Sequence, residues 1–475
     1  MATKKDLVEA YSFSRRRLVT AFISGAPGGR EVEPSRPGRT IVGGLALAVL
    51  LIAGAAVTGV FKPRVDGDWT EPGLVTSKET ASDYLILDTA DGEDPELRPL
   101  INITSAMLLF GADVEATQVP EDELKTLEQG APIGILNAPG SPPDADDLVN
   151  EGWTACTDGR RGIKVNVSET AATEPAPGTG FLVKSEGDFY VIGEGAPEDV
   201  ADPRAYRFPV QVSGKRRLSD TTLGDLSGSI SSQAVEVPGD WMRLFPPGGA
   251  LDVDSMGLGG RIGEPVDYAG SGGIPGRARV GDFYVLGDAT YAIGAHAPIK
   301  LTPFAAVLLR ASVGDDRELE PTGVVELDLG DGLFEEAHWP VEPLTQPAGE
   351  LCAELAPDAA SPGVRLVERP DEAASADAAD VPADEIEISV DSGAGAYVRS
   401  GQWDNETGDG EAFLIDSRGN SYLLQGPDVP GLLGYDDVDV LVAPDEWVDL
   451  FHEGVTLSVA AARCPPATEG REPCA

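Results

Sequence analysis

The chain has 475 residues, with 80 Asp and Glu against 35 Lys and Arg and a formal net charge of −45. Such a charge repels phosphate backbones, so a nucleic-acid partner is excluded and solubility is assured. Hydrophobic residues make up 41 %, and 57 Gly and 38 Pro point to a folded, turn-rich chain of short strands and helices.

Residues 1–40 form a basic tail, with eight Lys and Arg against four acids. Thr3 followed by Asp6 resembles a capping box, and Leu7, Tyr11, Leu18 and Phe22 recur near helical spacing, so the tail should open with an amphipathic helix ended by Gly25. Arg15, Arg16 and Arg17 give that helix a basic membrane-proximal cluster. The cluster reads either as an orienting charge at the inner leaflet or as a docking helix for a cytoplasmic partner. Residues 26–40, rich in Pro, Gly and Arg, read as a connector.

Residues 41–61, IVGGLALAVLLIAGAAVTGVF, contain no charge. A helix of that length spans roughly 31 Å, enough for a hydrocarbon core of about 30 Å. A buried core helix would carry polar punctuation, and a cleavable signal would have a shorter apolar region behind a shorter basic one. The segment is therefore expected to be an uncleaved transmembrane helix. The basic tail puts the N-terminus in the cytoplasm and the rest of the chain outside.

Residues 62–79 are a linker. Beyond it a short strand centred on a tyrosine occurs four times, at Tyr84, Tyr190, Tyr284 and Tyr422, twice within the string GDFYV. Each is followed by a proline that opens a short helix, at Pro120, Pro238, Pro303 and Pro444. This predicts four repeat modules of two or three strands and one helix, over 80–140, 181–251, 276–315 and 386–463. Units so small cannot bury a core alone. They are expected to pack on a central β-rich unit made of 141–180, 252–275 and 316–362. Residues 363–385, acidic and Ala-rich, should be a mobile linker, and 464–475 a C-terminal tail. The fold class is thus one transmembrane helix plus an α/β (α+β) extracytoplasmic domain.

All four cysteines lie in the exported part, as expected where disulfides form. A Cys156–Cys352 bond would close most of the middle of the chain into one loop, worth about 5 kcal/mol in the chain-entropy treatment. Cys464 and Cys474 could close a small C-terminal hairpin, and other pairings remain open. The cysteine spacings give no CxxC, and His296, His338 and His452 are scattered, which disfavours zinc.

No phosphate-binding loop, GxGxxG, GxSxG or HExxH occurs, so neither a catalytic residue nor a cofactor site is assigned. The EF-hand pattern does not fit the acidic loop at Asp404–Asp409. Asn102-Ile103-Thr104 and Asn405-Glu406-Thr407 match glycosylation sequons, which are common by chance. Trp241 and Trp447, at matching module positions, read as core aromatics rather than a carbohydrate platform.

Residues 1–40 leading into the apolar segment closely resemble the EccB family of the type VII (ESX) secretion membrane complex of actinobacteria. The likeness continues through Leu97-Arg98-Pro99-Leu100-Ile101-Asn102, residues 153–156, Cys352 and Gly395-Ala396-Tyr397-Val398-Arg399. The long acidic linker and the pair Cys464 and Cys474 depart from it. The resemblance implies a structural subunit of an inner-membrane machine, beside an FtsK-type ATPase and a polytopic membrane protein. Its outer domain would multimerise and contact a mycosin protease, and its disulfide would be Cys156 to Cys352. Family members have been described as ATPases, but no residue pattern here supports nucleotide turnover, and energy is expected from the partner. An extracytoplasmic ATPase and a cell-wall-binding repeat protein are the rival readings.

Overall fold

A computed structural model describes residues 3–24, 37–60, 69–88, 94–170, 173–195, 204–210, 218–258, 261–323, 328–329, 337–347, 349–356, 363–369, 377–403 and 410–466. The chain divides into two compact units, Met1–Asp66 and Gly67–Ala475.

Among its described residues the first unit holds two helices. Helix α1 (Lys4–Ser24) begins where Asp6 accepts bonds from the Thr3 N–H at 3.0 Å and the Thr3 hydroxyl at 2.7 Å, the cap expected from this spacing. These bonds also hold the Asp6 carboxyl below its usual range. Helix α2 (Pro37–Val60) starts on a proline, whose missing N–H costs nothing in a first turn, and carries no charge after Arg39. Among the described residues no helix is long and apolar enough to cross a membrane. The expected span over 41–61 falls only in part on residues whose side chains are described, 41–52.

Among its described residues the second unit has five sheets. Strands β1 (Gly73–Ser77), β2 (Asp83–Ile86) and β3 (Glu96–Pro99) form an antiparallel meander. After helix α3 (Ile103–Phe110), strand β4 (Thr117–Val119) returns parallel to β1. Helix α4 (Glu121–Leu124) then leads to β5 (Glu128–Gln129), which pairs parallel to β3. Three strands of the central sheet follow as β6 (Trp153–Thr157), β7 (Ile163–Val167) and β8 (Glu174–Pro175).

The meander then recurs as β9 (Gly180–Ser185), β10 (Asp188–Glu194) and β11 (Ala205–Pro209). Helix α5 (Asp220–Ser227), strand β12 (Val235–Glu236) parallel to β9, and helix α6 (Gly239–Arg243) complete that sheet's unit. The third sheet has β13 (Phe283–Leu286), β14 (Ala289–Ile293) and β15 (Pro298–Lys300), followed by helix α7 (Pro303–Val313). Strands β16 (Glu350–Ala356), β17 (Gly363–Arg369) and β18 (Ile386–Val390) complete the central sheet in the order β18-β7-β6-β16-β17-β8. The last sheet contains β19 (Ala396–Gly401), β20 (Ala412–Ile415) and β21 (Asn420–Leu424), then helix α8 (Val429–Leu432) and β22 (Leu441–Pro444) parallel to β19. Helix α9 (Asp445–Val448), β23 (His452–Glu453) and helix α10 (Val459–Ala462) close it.

These facts shift several expected boundaries. Residues 252–275 are not in the central sheet: Met256, Leu258, Val266 and Ile274 pack in the core shared by the second and third sheets. From 316–362 the central sheet takes only β16, while Leu319, Trp339 and Leu344 join that same core. Residues 363–369, expected in the acidic linker, are β17, because Val364 and Leu366 face the central core while Val367 lies with the cysteines. Residues 386–390, expected in the fourth module, are β18, parallel to β7.

The second half of the expected linker is packed, not free. Ala378 and Val381 are buried, and Asp377 lies 4.0 Å from the buried Arg369 guanidinium. A Cβ on Gly162 would overlap the Glu385 and Pro382 carbonyls, so only glycine lets this segment lie against β7.

Candidate functional site

The site-defining feature sits at the middle of the central sheet. Cys156 on β6 and Cys352 on β16 face each other across an antiparallel pair, with Cα atoms 4.0 Å apart, and are disulfide-bonded. Both are 0 % exposed, with Val367 beside them. On the opposite face of the same strands, Trp153, Ala155, Leu351 and Ala353 enter the largest core, as the two-residue strand period requires. Cys464 is also disulfide-bonded and 3 % exposed, and Cys474 lies outside the described residues.

Two tryptophans join the second and last sheets to this centre. Trp241 on α6 donates its indole N–H to the Ala155 carbonyl on β6 at 2.8 Å. Trp447 on α9 donates to the Leu244 carbonyl just beyond α6 at 3.3 Å. Both are fully buried, so neither can serve as an open carbohydrate platform. Between the two helices lies a polar cleft of about 200 Å³ lined by Asp240, Arg243, Glu446, Asp449 and Leu450. Burial lowers the pKa of Arg207 and the Glu446 charge opposes that shift; Arg207 donates to the Met242 carbonyl at 3.2 Å.

The other pronounced electrostatic cluster is the β20–β21 turn. Burial alone would raise the Asp416 carboxyl, but it accepts from the Asn420 N–H, the Arg418 guanidinium and N–H, and the Tyr422 hydroxyl, and the net shift is downward. Tyr422 is pushed up to about 12 by burial and by the neighbouring carboxylate. A cleft of about 340 Å³ borders this turn, walled by Pro139, Pro142, Pro143 and Gly393. With every Asp416 contact serving the turn itself, the cluster is a structural knot.

The sequence candidates fall as follows. Asn102 caps α3: its carbonyl oxygen accepts from the Ser105 N–H at 3.0 Å, and its amide donates to the Ile135 carbonyl at 2.7 Å. The sequon threonine, Thr104, donates to the Pro139 carbonyl at 2.6 Å, so both ends of this sequon are consumed by the fold. Asn405 and Asp404–Asp409 lie outside the described residues. Arg15, Arg16 and Arg17 sit exposed on α1. Among the described residues no group of three His, Cys, Asp or Glu side chains could hold a metal ion.

The match to known proteins now decides the family. The family described as "Type VII secretion system ESX-1, transport TM domain B" matches residues 1–466. The chain belongs to this family, the EccB family.

The EccB-family relatives include the ESX-1 secretion system ATPase EccB1 of Mycobacterium tuberculosis (strain H37Rv), 31 % identical over 154 residues covering 32 % of this chain and 30 % of that protein. EccB1 of Mycolicibacterium smegmatis (strain MKD8) is 30 % identical over 214 residues, covering 42 % and 43 %. The matched stretch thus spans less than half the length of each of these two relatives. In fold, it resembles a chain of an intact ESX-5 inner membrane complex with TM-score 0.60 at 20 % identity, covering 99 % of this chain and 97 % of that one. It also resembles a chain of the EccB3 dimer from the ESX-3 core complex, with TM-score 0.59 at 19 % identity, covering 82 % and 99 %. EccB architecture therefore holds across the mixed α/β domain described here.

Proposed function

We propose that this chain is a structural subunit of a type VII secretion membrane complex, anchored by one helix with its N-terminus in the cytoplasm. The observation that carries the reading is the family match over residues 1–466, which takes in the tail, the apolar helix and the five-sheet unit together. The uncharged run after Arg39 in α2 supports the single span. The buried Cys156–Cys352 bond supports an oxidising, extracytoplasmic setting for the second unit.

On this reading the four peripheral sheets are variants of one strand-helix repeat arranged around the disulfide-bonded sheet. The domain offers its surface to further copies and to other membrane components, including an FtsK-type ATPase, a polytopic protein and a mycosin protease. The test is a pull-down of the full-length protein in mild detergent, followed by mass spectrometry. Co-recovery of an FtsK-like ATPase and polytopic proteins supports the scaffold; recovery of the chain alone, under conditions preserving other membrane complexes, overturns it.

One observation favours a second reading: curated relatives carry the name ATPase. On that reading the second unit turns over nucleotide outside the membrane. The discriminating measurement is ATP hydrolysis by the purified second unit, with loss of turnover in a point variant required before the activity is assigned to this chain.

A further inference from the structure

Helix α1 carries eight large apolar side chains that no described residue covers: Leu7, Val8, Tyr11, Phe13, Leu18, Val19, Phe22 and Ile23 are each at least half exposed. At 100° per residue, Leu7, Tyr11, Leu18 and Phe22 fall within an arc of about 60°. Tyr11 and Phe22 are 74 % and 94 % exposed, so the stripe is fully open. Arg15 and Arg17 flank it on either side, while Arg16 points away. The flanking positions are the ones from which long basic side chains can lie along an apolar surface and lift their charge to its polar edge.

We propose that α1 lies in the plane of an anionic lipid surface, its stripe among the upper acyl chains and Arg15 and Arg17 on the headgroup phosphates. The inference rests on the reading of α2 as a membrane span. Three features favour lipid over a protein groove. The helix is basic where the rest of the chain is strongly acidic, so its charge complements an anionic leaflet and not this chain's own second unit. It has no acid between Glu9 and Ser24, which leaves the headgroup-facing two-thirds free of repulsion. The twelve residues between Ser24 and Pro37 can reach at most roughly 40 Å. A tether that short holds α1 at high effective concentration beside any bilayer that α2 enters. A modest stripe is then enough, where a free peptide of this composition would bind weakly.

The test uses the full chain in nanodiscs of phosphatidylcholine alone or with a third phosphatidylglycerol, carrying an environment-sensitive fluorophore at Leu18→Cys. A second preparation carries it at Val49→Cys, within α2. The expected result is an apolar signal at position 49 in both lipids and at position 18 only in the anionic discs. Arg15→Gln with Arg17→Gln should weaken the position-18 signal about fivefold per charge removed, and raised salt should weaken it in the unmodified chain. A water-like signal at position 18 in anionic discs, with position 49 apolar, overturns the lipid assignment and leaves the span intact. A water-like signal at position 49 overturns both.

Discussion

Asp416 concentrates more hydrogen bonds than any other described carboxylate, and its chemistry makes a directional prediction. Its folded pKa lies below the unfolded value near 3.8, so its ionised contacts stabilise fully above that value and are lost as pH falls through the folded one. Asp416→Asn should therefore cost about 2 kcal/mol at neutral pH, and the gap from the parent should shrink below about pH 4. Urea unfolding at pH 7 and pH 3.5 reads this directly; an equal gap at both would show that the ionised form is not what the turn uses. The cysteine pair predicts a different behaviour. With Cys156 and Cys352 both wholly buried, a thiol reductant should leave their bond intact in the folded protein and cleave it only after denaturant is added, as alkylation and mass spectrometry would report. Replacing both by Ala should lower stability by about 2–5 kcal/mol.

The elements show why the tyrosine strands misled as markers of position. Tyr84 and Tyr190 lie on the middle strands β2 and β10, but Tyr284 is on the first strand β13 and Tyr422 on the third strand β21. The shared string GDFYV illustrates the cause. At β10 it begins inside a tight hairpin turn, with Glu186 and the string's own Gly187 both at positive φ, while before β13 its aspartate is buried, accepting from the Arg279 N–H at 2.8 Å and pairing with Arg317. A turn followed by an apolar strand is a local demand, silent about the strand's rank in its sheet. The prolines were more faithful in three cases: Pro120, Pro238 and Pro444 are extended N-caps of α4, α6 and α9, each after a strand parallel to the first of its sheet. Pro303 instead opens α7 straight after the third strand, and the chain that runs beside β13 is Glu318, three residues before Pro321. Runs such as Phe181-Leu182-Val183 explain the misplaced central boundaries: Phe181 and Val183 face one core and Leu182 another, so β9 is buried on both faces and composition alone cannot say which neighbour it serves. At this scale Leu457→Ala should prove informative, since Leu457 shares a core with Leu108 of α3. It should cost about 2–5 kcal/mol and raise amide exchange in α3 as well as in the last sheet; exchange confined to the last sheet would contradict the shared core.

Across the whole molecule the cores are linked in a fixed order. One joins helix α3 to the last sheet, the largest joins the last sheet, the central sheet and one face of the second, and another joins the second sheet's other face to the third. Deleting residues 1–25 touches none of these, so the second unit should keep its melting temperature while the chain loses its association with other membrane components. Calorimetry and co-purification check the two halves separately, and intact co-purification would remove the tail from assembly. The packing of α3 against the last sheet has a mechanical meaning as well. Tension arriving through the residues that follow α2 meets the first sheet, and from there it passes by side-chain contact through α3 into the last sheet and the cross-linked centre, skipping the intervening sequence. The third sheet, joined to the second through their shared core, lies off that load path.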